Sequence, residues 1–267
     1  MNPPEAPRPI VTKYAVFRIS PRSEEEVVNS LAPQGRVSDA TRAQLVVTPN
    51  MHHIAMLQES PELGTAYARA DTILADGWPV VRLARRLGSD IRSRATGAGI
   101  VSRLATRAGE GRHIAIVGGS TLAANERAKH IFEQQGWRVT ATQAPVGWSS
   151  DEREVAAFAR RIQDASVVLV ALGTPKQELV AMQLMNHLRE QTRASFLCVG
   201  ASIDFLATET RRAPIWVQRL GMEWAHRILS EPSRLARRYL NDIGPFLRVW
   251  RDSTRHAHAA ARRREFG

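Results

Sequence analysis

Cysteine is almost missing from this 267-residue chain, where Cys198 stands alone. One cysteine excludes an intrachain disulfide and any cysteine-rich metal site. Its setting, Phe196-Leu197-Cys198-Val199, reads as a small core position rather than a nucleophile, and a reducing cytoplasm fits. Lysine is nearly as scarce. Lys13, Lys129 and Lys176 are the only lysines among 37 basic residues, so arginine carries the formal charge of +11. That excess attracts anions such as nucleic acid, an anionic membrane or phosphorylated substrates, and guanidinium grips phosphate bidentately. Solvated arginines in an arginine-rich composition are the plainer alternative. No apolar run of about 18 residues is present to span a bilayer. The opening Met1 to Pro9 holds four prolines and Glu5 where an apolar segment would mark a signal peptide, and none is expected. Internal repeats, a P-loop and a complete G-x-G-x-x-G are all missing. No His/Asp/Glu cluster has ligand spacing, and the adjacent His52 and His53 point in different directions on a helix. A soluble or peripheral protein with neither metal nor cofactor is expected.

What remains is an alternation of short apolar runs with amphipathic stretches. Leu45-Val46-Val47, Ile73-Leu74, His113 to Val117, Val167 to Val170 and Phe196 to Val199 read as strands, with a further short strand over Tyr14 to Ile19. Helical patterns lie near 24–31, 52–69, 79–87, 98–109, 121–135, 151–163 and 176–190. This predicts an α/β fold with a mostly parallel, Rossmann-like sheet covered by helices on both faces. Residues 1–12 read as a Pro-rich, poorly ordered tail and 13–210 as the α/β body. Residues 211–250 read as a helical Arg- and Trp-rich appendage interrupted by Pro214, Pro232 and Pro245, and 251–267 as a basic tail.

Five strands end in small or polar residues: Thr48-Pro49-Asn50, Asp76-Gly77, Gly118-Gly119-Ser120, Gly173-Thr174 and Gly200-Ala201-Ser202. Ligands of open α/β sheets bind beyond the carboxyl ends of the strands, so these turns are expected to line one cleft. A carboxylate at Asp76 can take a proton from an attacking hydroxyl, although spacing alone favours an ordinary Asp-Gly turn. Thr48 and Asn50 suit sugar hydroxyls, and Asn50 equally suits a helix cap. Arg94-Ala95-Thr96-Gly97 sets a cation before a glycine turn and a helix start, where an anion can rest. In Gly173-Thr174-Pro175-Lys176-Gln177-Glu178 the proline marks a helix start; Lys176 can meet phosphate and Gln177 a sugar or base, or the motif simply opens a helix. Arg234, Arg237 and Arg238 share one helical face at i, i+3, i+4, an arrangement that suits a diphosphate or a solvated face.

In this order the motifs resemble the WecG/TagA/CpsF family of glycosyltransferases. The likeness runs from about Leu45 to Trp250 and is carried most specifically by Pro175-Lys176-Gln177-Glu178 and by Glu223-Trp224 through Arg237-Arg238-Tyr239. It implies an inverting, metal-independent enzyme that uses a UDP-sugar, commonly UDP-N-acetylmannosamine or its uronic acid. The acceptor it implies is a polyprenyl-diphosphate-linked saccharide at the cytoplasmic face of the membrane. By the same resemblance Asp76 is the base, Thr48 and Asn50 position a sugar, Arg94 and Gln177 line the site, and Arg227, Arg234 and Arg237 hold the diphosphate. Two positions depart from the pattern. Gly99 replaces an acidic residue usual just after the Arg-x-Thr-Gly turn, and Ala207-Thr208 stands where Ala-Gly is common. The family also contains hexosyltransferases of exopolysaccharide assembly. A basic nucleic-acid-binding protein and a Rossmann oxidoreductase are the rival classes; the first lacks a recognisable binding motif and the second a dinucleotide fingerprint, so no nucleic-acid partner is expected. Phe246, Leu247, Val249 and Trp250, beside Arg248 and Arg251, read either as an apolar wedge with cations that docks on an anionic membrane or as apolar residues packed on the α/β body beside solvated arginines.

Overall fold

Strands covered on both faces must be apolar at successive positions, and the central runs of this chain satisfy that. The computed structural model describes residues 6–31, 42–144, 147, 150–207 and 232–265. In chain order the first half contains β1 (Ile10–Val11), β2 (Val16–Phe17), α1 (Glu24–Leu31), β3 (Gln44–Val47), α2 (Met51–Met56), α3 (Pro61–Arg69), β4 (Thr72–Ile73), α4 (Trp78–Arg86) and α5 (Gly97–Leu104). The second half contains β5 (His113–Gly118), α6 (Leu122–Gln134), β6 (Arg138–Thr142), α7 (Glu152–Arg161), β7 (Val167–Ala171), α8 (Lys176–Leu188), β8 (Ser195–Cys198), α9 (Ser202–Leu206) and a long helix, α10 (Pro232–Glu265). Six strands form one sheet in the order β4-β3-β8-β7-β5-β6, and every neighbouring pair is parallel. The expected Rossmann-like α/β architecture is what the chain forms.

Side chains alternate between the two faces of the sheet. Leu45, Val47, Val117, Val168, Val170 and Phe196 pack with α2, α3, α4, α7 and α8. Val46, Ile114, Ile116, Val167, Leu169 and Leu197 pack with α1, α5, α6 and α9. The helical pattern near 52–69 resolves into two helices because Ser60 caps Leu63 N and Pro61 opens α3. Strand β6 carries no long apolar run: as an edge strand it is only partly covered, so its sequence lacked the signal of the central strands.

Both ends of the chain differ from expectation. Ile10–Val11 is not part of a loose tail but pairs antiparallel with Val16–Phe17, Ile10 is buried, and Val11 N donates to Ser253 Oγ at 2.9 Å. The polar residues 251–265 continue α10 without a break at 250, and Ser253 is buried within it. Pro245 lies inside that helix rather than ending it, and Pro232 occupies its first position, where a missing N–H costs nothing. Of the apolar wedge, Phe246 and Val249 are buried in the core and Trp250 packs against it; only Leu247 is exposed. The reason is the contact of α10 with α2 and β1, which claims one face of the helix.

Candidate active site

The carboxyl edge of the sheet is knitted together by backbone contacts. Asp76 N donates to Pro49 O at 2.9 Å, joining the end of β4 to the end of β3, and Ala95 N donates to Ala75 O at 2.9 Å. Helix α5 begins against the β8 turn: a Cβ on Gly97 would lie 2.9 Å from both Cα and O of Val199, so only glycine permits that approach. On the other side Gly119 N donates to Ala171 O at 3.0 Å. Ser120 donates from N and from Oγ, both at 2.8 Å, to Asp204 Oδ1 on α9. Sequence-distant turns after β3, β4, β5, β7 and β8 are thus neighbours along one edge. Asp76 and Arg94 are half-buried there, and each has an interaction partner.

Three expected site residues have much of their polarity engaged by the protein itself. Thr48 is buried and its Oγ1 donates to Cys198 O at 3.1 Å. Asn50 caps α2, with Oδ1 accepting from His52 N at 3.0 Å and His53 N at 3.3 Å. Gln177, 2% exposed, accepts at Oε1 from Gly200 N at 2.8 Å and donates from Nε2 to Glu178 Oε1 at 2.9 Å. The second hydrogen of that amide points to His53 Nε2, 3.3 Å away. His53 Nδ1 in turn lies 2.9 Å from Asn50 Oδ1 and 3.3 Å from Asn50 N, closing the capping box of α2. A continuous buried chain therefore runs from the Asn50 cap through His53 and Gln177 to the Gly200 turn. Burial, aided by the nearby His52 and Arg238 charges, pulls the His53 pKa down to about 3 and keeps the ring neutral. Burial likewise raises the pKa of Glu178, against the opposing hydrogen bond from Gln177.

His53 and Glu178 are buried partners of these candidate residues, and the sequence alone assigns them no site role. Adjacent histidines on a helix do diverge, as expected: His53 points inward, while His52 Nδ1 meets Asp242 of α10 at 2.9 and 3.0 Å. That contact clasps α10 to α2 and flanks an open groove of about 940 Å³ lined by His52, Glu59, Arg237, Arg238, Asn241 and Arg248, among others. Arg237 is exposed there, and Arg238 Nε is buried with no hydrogen-bond partner among the described residues. Arg234 lies on the same helix, three residues before Arg237. Arg227 falls outside the described residues. Among the described residues no group of three or more His, Cys, Asp and Glu is placed to hold a metal ion, and no helix is long and apolar enough to cross a membrane.

A sheet edge that carries a carboxylate, the Asn50 amide and Arg94, next to a groove walled by more arginines, can bind an anionic, hydroxyl-rich ligand and move a proton. A family model, the glycosyl transferase WecG/TagA/CpsF family, matches residues 13–259. That span includes every candidate residue above and nearly the whole chain, so this protein belongs to the WecG/TagA/CpsF family and is a glycosyltransferase.

Proposed function

We propose that the enzyme transfers an N-acetylmannosamine-type sugar, or a related hexose or uronic acid, from a UDP-sugar to a polyprenyl-diphosphate-linked acceptor. The transfer would take place at the inner face of the cell membrane during assembly of a surface polysaccharide or a teichoic acid-type glycan. The observation that supports this best is the joining of the Asp76, Asn50, Arg94 and Gly200 turns at one sheet edge, with the arginine-lined groove one helix away. In this reading Asp76 accepts the proton of the acceptor hydroxyl as its oxygen bonds to the anomeric carbon. The bond from that carbon to the UDP oxygen breaks on the opposite side, its electron pair leaves with the diphosphate, and the configuration inverts. Arg227, Arg234 and Arg237 stabilise the leaving charge as a divalent ion would. Asn50 and Thr48 position the sugar, Asn50 through its amide nitrogen because its oxygen serves the α2 cap. Arg94 lines the site, and Gln177 holds the Gly200 turn and His53 behind it.

The test is UDP release from a panel of UDP-hexoses, UDP-N-acetylhexosamines and UDP-uronic acids, with and without a short-chain lipid-diphosphate saccharide. One donor should show acceptor-dependent release that persists in a chelator. Transfer restored only by Mg²⁺ or Mn²⁺ would overturn the role given to the arginines, and no turnover with any donor would overturn the substrate class.

A further inference from the structure

Helix α5 starts at Thr96, whose Oγ1 accepts from Gly99 N at 2.9 Å. This is half of a capping box. In the complete motif an acidic side chain at the third helical position returns to the backbone N–H of the cap. Here that third position is Gly99, which has no side chain. The missing carboxylate is nevertheless present, supplied by Glu24 of α1. Glu24 Oε1 accepts from Thr96 N at 3.0 Å and from Thr96 Oγ1 at 2.9 Å. Its carboxyl group occupies the volume that a side chain at 99 would fill: a Cβ there would sit 2.0 Å from Oε1 and 2.2 Å from Cδ. Arg103 Nε, one helical turn further along α5, donates to Glu24 Oε2 at 3.2 Å and holds the carboxylate from its other side. Helix α1 does not need Glu24 for its own start, because Ser23 and Glu26 form a complete capping box there, with Ser23 N to Glu26 Oε2 at 2.7 Å and Glu26 N to Ser23 Oγ at 3.2 Å.

We propose that Glu24 is a positioning residue for sugar transfer, completing the α5 capping box from another helix and so fixing the turn that carries Arg94 against the strand end that carries Asp76. The linkage is short. Thr96 is the cap, Ala95 donates to Ala75 O beside Asp76, and Arg94 comes immediately before. Freed from Glu24, the Thr96 N–H loses its acceptor and the 94–97 backbone gains freedom in the direction of the site. The role assigned to Glu24 rests on the transferase reading given to Asp76 and Arg94.

Four proteins decide it: wild type, Glu24→Ala, Gly99→Glu, and the double variant, each measured for melting temperature and for kcat and KM of UDP release. Glu24→Ala should lower kcat/KM about tenfold, the scale of one lost charge-assisted hydrogen bond, at a temperature where the variant is fully folded. Gly99→Glu alone should lower both stability and activity, because two carboxylates compete for one volume. In the Glu24→Ala background the same substitution should restore both, a reversal of sign. Unchanged kcat and KM in Glu24→Ala, whatever its melting temperature, would overturn the positioning role. Equal damage by Gly99→Glu in both backgrounds would overturn the cap. If wild type itself turned over no nucleotide sugar, the substrate reading would fail, and the sign of the melting-temperature change would still judge the cap.

Discussion

At the scale of single residues, the candidate site divides into groups that the proposed reading sets against substrate and groups that hold those in place. Asp76 is half-buried, with its backbone N–H fixed to Pro49 O. Asp76→Asn keeps size and backbone contact but cannot take a proton. Turnover should fall roughly 10²–10⁴-fold with the melting temperature little changed; near-normal UDP release would return Asp76 to the role of a turn residue. Behind it, His53 and Glu178 titrate in opposite senses. The folded pKa of His53 lies near 3, below its ordinary 6.5, so acidification through that window protonates the unfolded chain first and costs stability, about 1.4 kcal/mol per pH unit. Glu178 is raised above its ordinary 4.5; the stability it contributes is complete below that value and is lost as pH rises toward its folded pKa. The two slopes oppose just above pH 4.5. Glu178→Gln removes one of them, so urea unfolding of this variant should weaken more steeply than wild type as pH falls from 6.5 to 4.5. Parallel curves would mean that Glu178 ionises in the folded state as it does in water. None of this was legible in sequence, where Gln177 read as a lining residue and His53 as a helix histidine. The chain Asn50–His53–Gln177–Gly200 joins residues far apart in sequence, and only the sheet order brings them together.

At the scale of elements, most of the sheet was legible because buried parallel strands announce themselves by unbroken apolar runs, as in Val167–Ala171. Where burial is partial the signal fades: β6 went unread at the sheet edge, and β1 was hidden in a proline-rich opening. Helix α10 was misread at its interior proline and beyond residue 250. Pro245 looked like a break, and the polar stretch after 250 looked like a tail, because a helix docked along one side needs few apolar residues to stay in place. Phe246 and Val249 supply them. The clasp between His52 and Asp242 adds a directional contact, with Asp242 buried to 6% exposure. Asp242→Ala should therefore cost about 1–3 kcal/mol in urea unfolding. It should also weaken donor use more than acceptor use, because Arg237, which holds the donor's diphosphate in the proposed reading, lines the groove between α2 and α10. An equal rise in both KM values would detach the groove from the donor's diphosphate.

At the scale of the whole molecule, a charge of +11 bears on the proposal that the acceptor is membrane-bound. The docked face of α10 is occupied by the core, so adsorption would have to use the opposite one. That face carries Leu240, Ile243 and Leu247, 72%, 43% and 57% exposed, at i, i+3 and i+7 along one stripe. Arg237, Arg248 and Arg251 are exposed on the same stretch of helix. Apolar side chains can enter the headgroup boundary while each arginine near an anionic surface adds about 1 kcal/mol, enough for reversible adsorption. Truncation within α10 would be a poor test, because it removes Phe246 and Val249 from the core. Replacing Leu240, Ile243 and Leu247 together by Gln leaves the buried side intact. At low salt, wild type should sediment with vesicles containing phosphatidylglycerol and stay in solution with neutral ones, and added salt should release it. The triple variant should partition at least about tenfold less while keeping its melting temperature, since the three side chains bury apolar area only when the surface is present. Equal sedimentation of the two proteins would place the membrane contact on another face. Loss of binding in neutral and anionic vesicles alike, with no salt dependence, would leave the arginines no part in it.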